Sequence, residues 1–155
     1  LHVRSRRQRQ MCIRDSQYTE AQLVAMLRGK NLRASDSRIA ILGYILSSEM
    51  HPTADTIYNA LSADHPSLSR ATVYNCVRAL ADAGLINEVG IDTYNQRFDS
   101  ALERPHAHFA CRMCGRVIDI AYDMSSITIP AGFESECVNL NFKGICPECQ
   151  SKHID

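Results

Sequence analysis

No apolar run in this sequence approaches the roughly 18 residues that a membrane span needs, so none is expected. No secretory leader is expected either, because the arginine-rich start is not followed by an apolar core. There are no internal repeats and no low-complexity tracts. There is no excess of charge of either sign: 17 basic residues balance 17 acidic ones. Any nucleic-acid affinity must then come from a local patch rather than from net charge. With nothing pointing to export, the chain is expected to be cytoplasmic. Its seven cysteines read there as metal ligands or redox groups rather than as a disulfide framework.

What is present fits one domain or two small ones: 155 residues, 45% hydrophobic and 22% charged. The charge is uneven. Residues 1–16, "LHVRSRRQRQMCIRDS", hold five arginines and one aspartate, which leaves the rest of the chain net negative by four. This stretch has no apolar period and reads as a disordered extension. It is either a DNA-seeking arm or sequence foreign to the natural chain, since the style changes abruptly at Gln17.

From Gln17 the pattern is helical. Thr19-Glu-Ala-Gln22 is a capping box, with Ala21, Leu23, Val24 and Leu27 at helical spacing behind it. Ile39, Leu42, Ile45 and Leu46 form a second stripe. In "HPTADTIYNAL" Pro52 breaks the chain, Thr53 can cap, and Ile57, Tyr58 and Leu61 face inward. "SRATVYNCVRALADAGLI" is a fourth helix, capped by Ser69, with Val73, Cys76, Val77 and Leu80 inward and Gly84 as its stop. The period then changes to two: "LINEVGIDTYNQRFD" reads as two strands turning around Gly90–Asp92. Helices followed by a hairpin predict a winged helix-turn-helix over 17–95. The remainder, 96–155, is strand-rich through "HAHFAC", "RVIDIAY" and "FESECVNLNFKGIC", where Val138, Leu140 and Phe142 alternate. The expected class is α+β, a winged helix followed by a small α/β domain.

On the fourth helix Ala71, Asn75 and Arg78 lie opposite the apolar face, flanked by Arg70 and Tyr74, with Ser69 and Thr72 in the first turn. Arg can pair with guanine, Asn with adenine, and Tyr or Ser can hold a phosphate. These seven residues are the candidate DNA-reading set. The alternative is an ordinary amphipathic helix with a solvated face. Residues 17–95 carry six basic and eight acidic side chains, so DNA affinity would rest on local charge and dimeric avidity.

Cys111-Arg-Met-Cys114-Gly115 and Cys146-Pro-Glu-Cys149 are two CxxC pairs with 31 residues between them. Four thiolates at this spacing predict a closed tetrahedral zinc site; the alternative is a pair of redox dithiols. Cys12, Cys76 and Cys137 are left over, and Cys76 is read as core. The histidines need another explanation. His106 and His108 project from one face of a strand. Asp119 follows on the next strand, Asp99 ends the wing, and His51 precedes the third helix. A sulfur-free set of this kind suits Fe(II), Mn(II) or Zn(II), although solvated strand histidines are also common.

Together "HPTADTIYNAL", "SRATVYNCVRALADAGLI", "QRFD", "HAHFACRMCGRVID" and "CPEC" resemble the ferric uptake regulator family of metal-dependent repressors, over about residues 19–150. The likeness is greatest to its peroxide-sensing branch. The run "PHAH" is short, the later carboxylate is Asp119 rather than Glu, and no histidine occurs between 109 and 152. The resemblance implies a structural Zn2+ on Cys111, Cys114, Cys146 and Cys149, and a regulatory Fe2+ or Mn2+ on His51, Asp99, His106, His108 and Asp119. It implies a homodimer, joined through the C-terminal domain, on a palindromic double-stranded operator. It also implies release of DNA when peroxide oxidises a ligand histidine. That is self-damage without turnover, so an enzyme is not expected. Rival readings are an iron or zinc sensor on the same scaffold, a CxxC redox protein, and a zinc-ribbon interaction module. Two segments depart from the family pattern. "SALERP" is one residue longer than usual, and "DMSSITIPAGF" is too short and β-branched for the helix expected there.

Overall fold

The computed structural model describes residues 18–90, 96–102, 106–134 and 138–152. The extension 1–16, Cys12, Cys137, Ile91 and Asp92 of the expected turn, and the last three residues of "SALERP" lie outside the described residues.

Among the described residues four helices come first: α1 (Glu20–Gly29), α2 (Asp36–Leu46), α3 (Ala54–Leu61) and α4 (Arg70–Asp82). Three of the four starts are fixed by hydroxyl caps. Thr19 forms the complete capping box with Gln22. Thr53 Oγ1 accepts from the Thr56 N–H at 3.1 Å, and Ser69 Oγ from the Thr72 N–H at 3.1 Å. Each such cap stabilises its helix by about 1 kcal/mol. At the end of α4, Gly84 takes φ +67°. Its N–H donates to the Ala81 carbonyl, and the Leu85 N–H to that of Leu80, at 2.8 and 3.0 Å. This double closure needs a left-handed residue, which glycine adopts without steric cost.

The helices enclose one core. Leu27, Ile41, Leu42, Ile57, Val73 and Leu80 are fully buried in it, and Phe98 joins from the wing. Burying each large side chain contributes roughly 1.5–3 kcal/mol. Val73, Cys76, Val77 and Leu80 are the buried face of α4, as its period predicts. On α2 the stripe differs: Ile39 is half-buried and Ile41 fully buried. This helix touches α1, α3, α4 and the wing, so its buried face is wider than one stripe. On α1, Ala21 is exposed and Val24 half-buried.

β1 (Ile86–Val89) pairs antiparallel with β2 (Arg97–Ser100), Ile86 opposite Ser100 and Val89 opposite Arg97. This is the wing. β2 also bridges back to α3 through Thr53 and Arg97, and the Phe98 N–H donates to the Pro52 carbonyl at 3.0 Å.

The C-terminal sheet has β3 (Ala107–Cys111) between antiparallel β4 (Val117–Ile120) and parallel β5 (Asn141–Gly144). β5 is shorter than "FESECVNLNFKGIC" suggests: Val138 and Leu140 precede it, and Phe142 is exposed. The Leu140 carbonyl still accepts the His108 N–H at 2.9 Å. Within "DMSSITIPAGF" only a 3-10 turn forms, at Met124–Ser126. A five-residue helix, α5 (Pro147–Ser151), was not apparent from the sequence; Pro147 opens it and Cys146 occupies its N-cap position. Val89 of the wing packs on Val117 and Ala110 and so joins the two halves. Among the described residues no helix is long and apolar enough to cross a membrane.

Candidate metal centres

The parallel register of β3 and β5 sets Cys111 beside Gly144, two residues before Cys146. The two CxxC pairs therefore close on one point, with the four sulfurs all within 4.8 Å of one another. Each pair sits in a tight turn. The Gly115 N–H donates to the Cys111 carbonyl at 2.9 Å, with Gly115 at φ +70°. The Cys149 N–H donates to the Cys146 carbonyl at 3.0 Å.

Four thiols this close cannot share one protonation behaviour. The Cys146 N–H, 3.3 Å away, and then the Cys114 N–H draw the Cys111 thiol down to about 6. Arg116 lowers Cys114. Sharing with the Cys146 sulfur, then burial and the remaining sulfurs, pushes Cys149 up to about 12. One divalent cation would satisfy all four as thiolates, in a tetrahedron with no position left for substrate. All four are free cysteines, and Cys114 Sγ lies 3.9 Å from Cys146 Sγ, across the two pairs. The set fits a structural Zn2+ better than two separate dithiols. Arg116, paired with Glu148, reaches the Cys146 sulfur at 3.8 Å; nothing in its sequence context signalled this.

The second cluster lies where the halves meet. His51, 1% exposed, stands between α2 and α3 at φ +46°. Such a backbone costs about 1–3 kcal/mol and persists only where the surroundings enforce it. Asp99 comes from β2. His106 and His108 bracket the start of β3 on one face, and Asp119 on β4 is the cross-strand partner of His108.

The three Nε2 atoms turn toward the two carboxylates. His51 Nε2 is 2.9 Å from Asp119 Oδ1 and 3.7 Å from Asp99 Oδ1. His106 Nε2 is 3.0 Å from Asp99 Oδ2 and 3.6 Å from Asp119 Oδ1. His108 Nε2 is 3.6 and 3.9 Å from the same two oxygens. The His108 ring meets those of His51 and His106 edge-on, at 4.8 and 4.7 Å between centroids. The structure thus gathers all five sequence-selected residues. Ligand atoms of His51, Asp99, His106 and His108 lie within 4.8 Å of one another, and Asp119, 44% exposed, forms the rim.

Despite the short separations, Nε2 of His51 is buried without an aligned hydrogen bond. Lone pairs aimed at a shared centre produce this pattern, whereas ion pairs would align N–H with oxygen. The protonation states agree. Burial lowers His51 below the usual imidazole range, outweighing Asp119 and Asp99, which raise it. Burial raises Asp99, but His108, His51 and the Ser100 backbone more than offset this, so its carboxyl titrates below the ordinary range. A neutral imidazole beside a carboxylate is ready to bind a cation without first losing protons. The hard N/O donors fit Fe(II) or Mn(II).

The candidate DNA residues lie away from both clusters. Ala71, Tyr74, Asn75 and Arg78 are exposed along one side of α4, with Tyr74 52% accessible. Ser69 and Thr72 are joined through the N-cap. Arg70 is paired with Asp55 and lies over the Tyr58 ring at 4.8 Å. One residue the sequence reading passed over is Arg97, which touches the backbone of both centres. Its position two before Asp99 on a strand is the only signal it gave.

Known proteins resemble this chain in sequence and fold. The profile of the ferric uptake regulator family matches residues 29–141. The peroxide-responsive repressor PerR of Staphylococcus aureus (strain Mu50 / ATCC 700699) is 38% identical over 134 residues, which is 83% of this chain and 90% of the relative. The Helicobacter pylori ferric uptake regulator Fur superposes with a TM-score of 0.71 over 86% of this chain and 95% of its own, at 18% identity, a likeness of fold alone. The ferric uptake regulator of Pseudomonas aeruginosa with manganese superposes with a TM-score of 0.66 at 28% identity, over 79% and 96%. Sequence and fold agree that the chain belongs to the ferric uptake regulator family.

Proposed function

We propose that this chain is a metal-dependent DNA-binding repressor that senses peroxide through an ion held by His51, Asp99, His106, His108 and Asp119. The convergence of those side chains at the junction of the two halves carries the reading. His51 belongs to the DNA-binding half, Asp99 to the wing strand at the hinge, and the other three to the C-terminal half. Drawing them together selects one angle between the halves and hence one placement of α4. Ser69, Arg70, Ala71, Thr72, Tyr74, Asn75 and Arg78 are its DNA-reading set. Its place of action is where operator DNA lies, the cytoplasm.

The partner is a second copy of this chain. Phe109 is in register with Ile118 on one side and Phe142 on the other, and Ile120 follows on the same face. Ile118, Ile120 and Phe142 are exposed, turned away from the face that bears His108 and Asp119. An apolar strip on a sheet marks an interaction surface. A dimer formed there sets two α4 helices at a fixed spacing, which suits a palindromic operator.

Fe(II), if held by these residues, would supply reducing electrons for peroxide beside the imidazoles. The residues decide the outcome. Asp119 at the rim leaves the approach open, His51 lies deepest, and a ring oxidised at carbon keeps its nitrogens but is a poor metal donor. With one donor gone the halves are no longer drawn together, and α4 loses its placement. A metal-titrated gel shift tests this. Fe(II) and Mn(II) should both promote DNA binding, and peroxide should abolish it only with Fe(II). If both complexes survive peroxide equally, the chain is a plain metal sensor. If neither metal promotes binding, the centre does not regulate.

A further inference from the structure

Arg97 belongs to neither ligand set, yet it holds the backbone of both. Its Nη1 donates to the carbonyl of His51 at 3.2 Å, and its Nη2 to the carbonyl of Gly115 at 3.4 Å. The first carbonyl belongs to the ligand with the left-handed backbone, φ +46°. The second belongs to the turn that closes on Cys111 and Cys114. The arginine is itself fixed. It opposes Val89 across the wing, bridges to Thr53, and is followed by Phe98 in the core. Val89 packs in turn on Val117 and Ala110 of the C-terminal sheet. One rigid guanidinium therefore spans the loop that aims His51 and the turn that gathers two sulfurs.

We propose that Arg97 is a positioning residue that couples the two metal centres, so that an ordered cysteine turn raises the affinity of the His/Asp centre and the converse. If the turn loosens, the Gly115 carbonyl leaves the fork. The guanidinium then holds the His51 peptide less firmly, and the His51 ring loses its aim at Asp99 and Asp119. A lysine would not replace it, because a single ammonium lacks the planar fork that reaches two carbonyls. The inference rests on the reading that the His/Asp centre takes a divalent cation and the cysteines take zinc.

The test uses Mn(II) as probe on the full zinc-loaded chain, reading free Mn(II) by electron paramagnetic resonance. Arg97→Lys and Arg97→Met should each weaken Mn(II) binding about tenfold, the scale of a lost hydrogen bond from a charged donor, with one zinc per chain retained. Coupling is read separately, as zinc affinity in competition with a zinc-selective chelator, with and without saturating Mn(II). Mn(II) should tighten zinc in the parent and much less in either variant, since coupling between sites is reciprocal. A merely structural arginine would shift thermal stability without removing this coupling. Mn(II) affinities within twofold across the three proteins would overturn the proposal. So would a parent whose zinc affinity ignores Mn(II), a result that needs no variant. A parent that binds zinc but no Mn(II) overturns the centre itself, and the coupling with it.

Discussion

His51 and Asp119 face each other across the junction of the two halves, Nε2 to Oδ1 at 2.9 Å, one buried and one at the rim. The first is carried by the loop before α3, the second by β4. Their approach brings the two halves into register at one point, and it predicts how the metal-free centre responds to acid.

Burial lowers His51 below the ordinary imidazole value of 6.5 in the fold. Below 6.5 the unfolded chain takes up a proton that the native chain resists, so acid favours unfolding in the window from 6.5 down to the folded value. Asp99, lowered in the fold, acts in the same direction nearer its ordinary value of 3.8: its contribution is present above that value and lost as pH falls through the folded one. In the zinc-loaded chain without a second metal, the urea midpoint should fall from pH 7 to pH 5. The fall should be shallower in His51→Gln, and the difference between the two curves isolates the histidine. Equal slopes would show that His51 is not held neutral. The same variant should weaken Mn(II) by more than the roughly 10–100-fold typical of an outer-shell loss, since it removes a ligand.

The sequence made the helical half legible because its signals are local. Thr19, Thr53 and Ser69 cap where the pattern places them, and Gly84 stops α4. Both ligand clusters were legible too, the cysteines from spacing and His106 and His108 from strand alternation. His51 and Asp99 are a different case. They lie 48 residues apart, and backbone contacts between the stretches 51–53 and 97–98 bring them together. Here the family resemblance supplied what periodicity could not. Arg97 remained hidden because its partners are backbone carbonyls, which leave no mark on residue type. The short α5 and the truncated β5 fail for another reason. Where a metal site orders a segment, the pattern of apolar residues does not have to.

The cysteine cluster predicts a structural dependence on zinc. A structural zinc site stabilises its domain by about 10–16 kcal/mol in apparent terms, more than a small domain's whole margin. Cys111→Ser should lose the zinc and with it the docking of α5 on β3, and it should monomerise the chain rather than merely weaken regulation. Metal analysis with size-exclusion chromatography checks this. A dimeric, zinc-free and thermally unchanged variant would refute it.

Exposure on α4 separates readers of DNA from holders of the fold. Arg78→Ala and Tyr74→Ala remove exposed side chains from the face opposite the core. Each should weaken operator binding by about tenfold or more, at a contact worth about 1–3 kcal/mol, with thermal stability unchanged. Arg78→Ala should also reduce the salt slope by about 1 if that side chain holds a phosphate. Arg70→Ala is the informative contrast. Its pair with Asp55 is exposed on both sides, so the loss should cost the fold at most about 1 kcal/mol. Any larger effect on DNA binding is then a contact, read in the same titration.

The last prediction concerns where oxidation falls. Three imidazoles approach the same two carboxylates, so an oxidant generated from peroxide by Fe(II) bound at that point would arise within reach of His51, His106 and His108. Exposed sulfur offers a competing target, above all Met50 beside His51 and Met113 between Cys111 and Cys114. Geometry favours the rings when the oxidant is made in the centre, and the methionines when it arrives from bulk solvent. Limited peroxide on Fe(II)-loaded protein should therefore add one oxygen atom to the peptide bearing His51 or to that bearing His106 and His108, in step with loss of DNA binding. Mn(II)-loaded protein under the same peroxide should keep unmodified histidines and stay on its operator, because Mn(II) does not readily reduce peroxide. Tandem mass spectrometry alongside the gel shift resolves the two cases. Oxygen found only on Met50 or Met113, in both metal forms alike, would mean that the centre directs no oxidation. Release of DNA would then have to be explained by loss of metal alone.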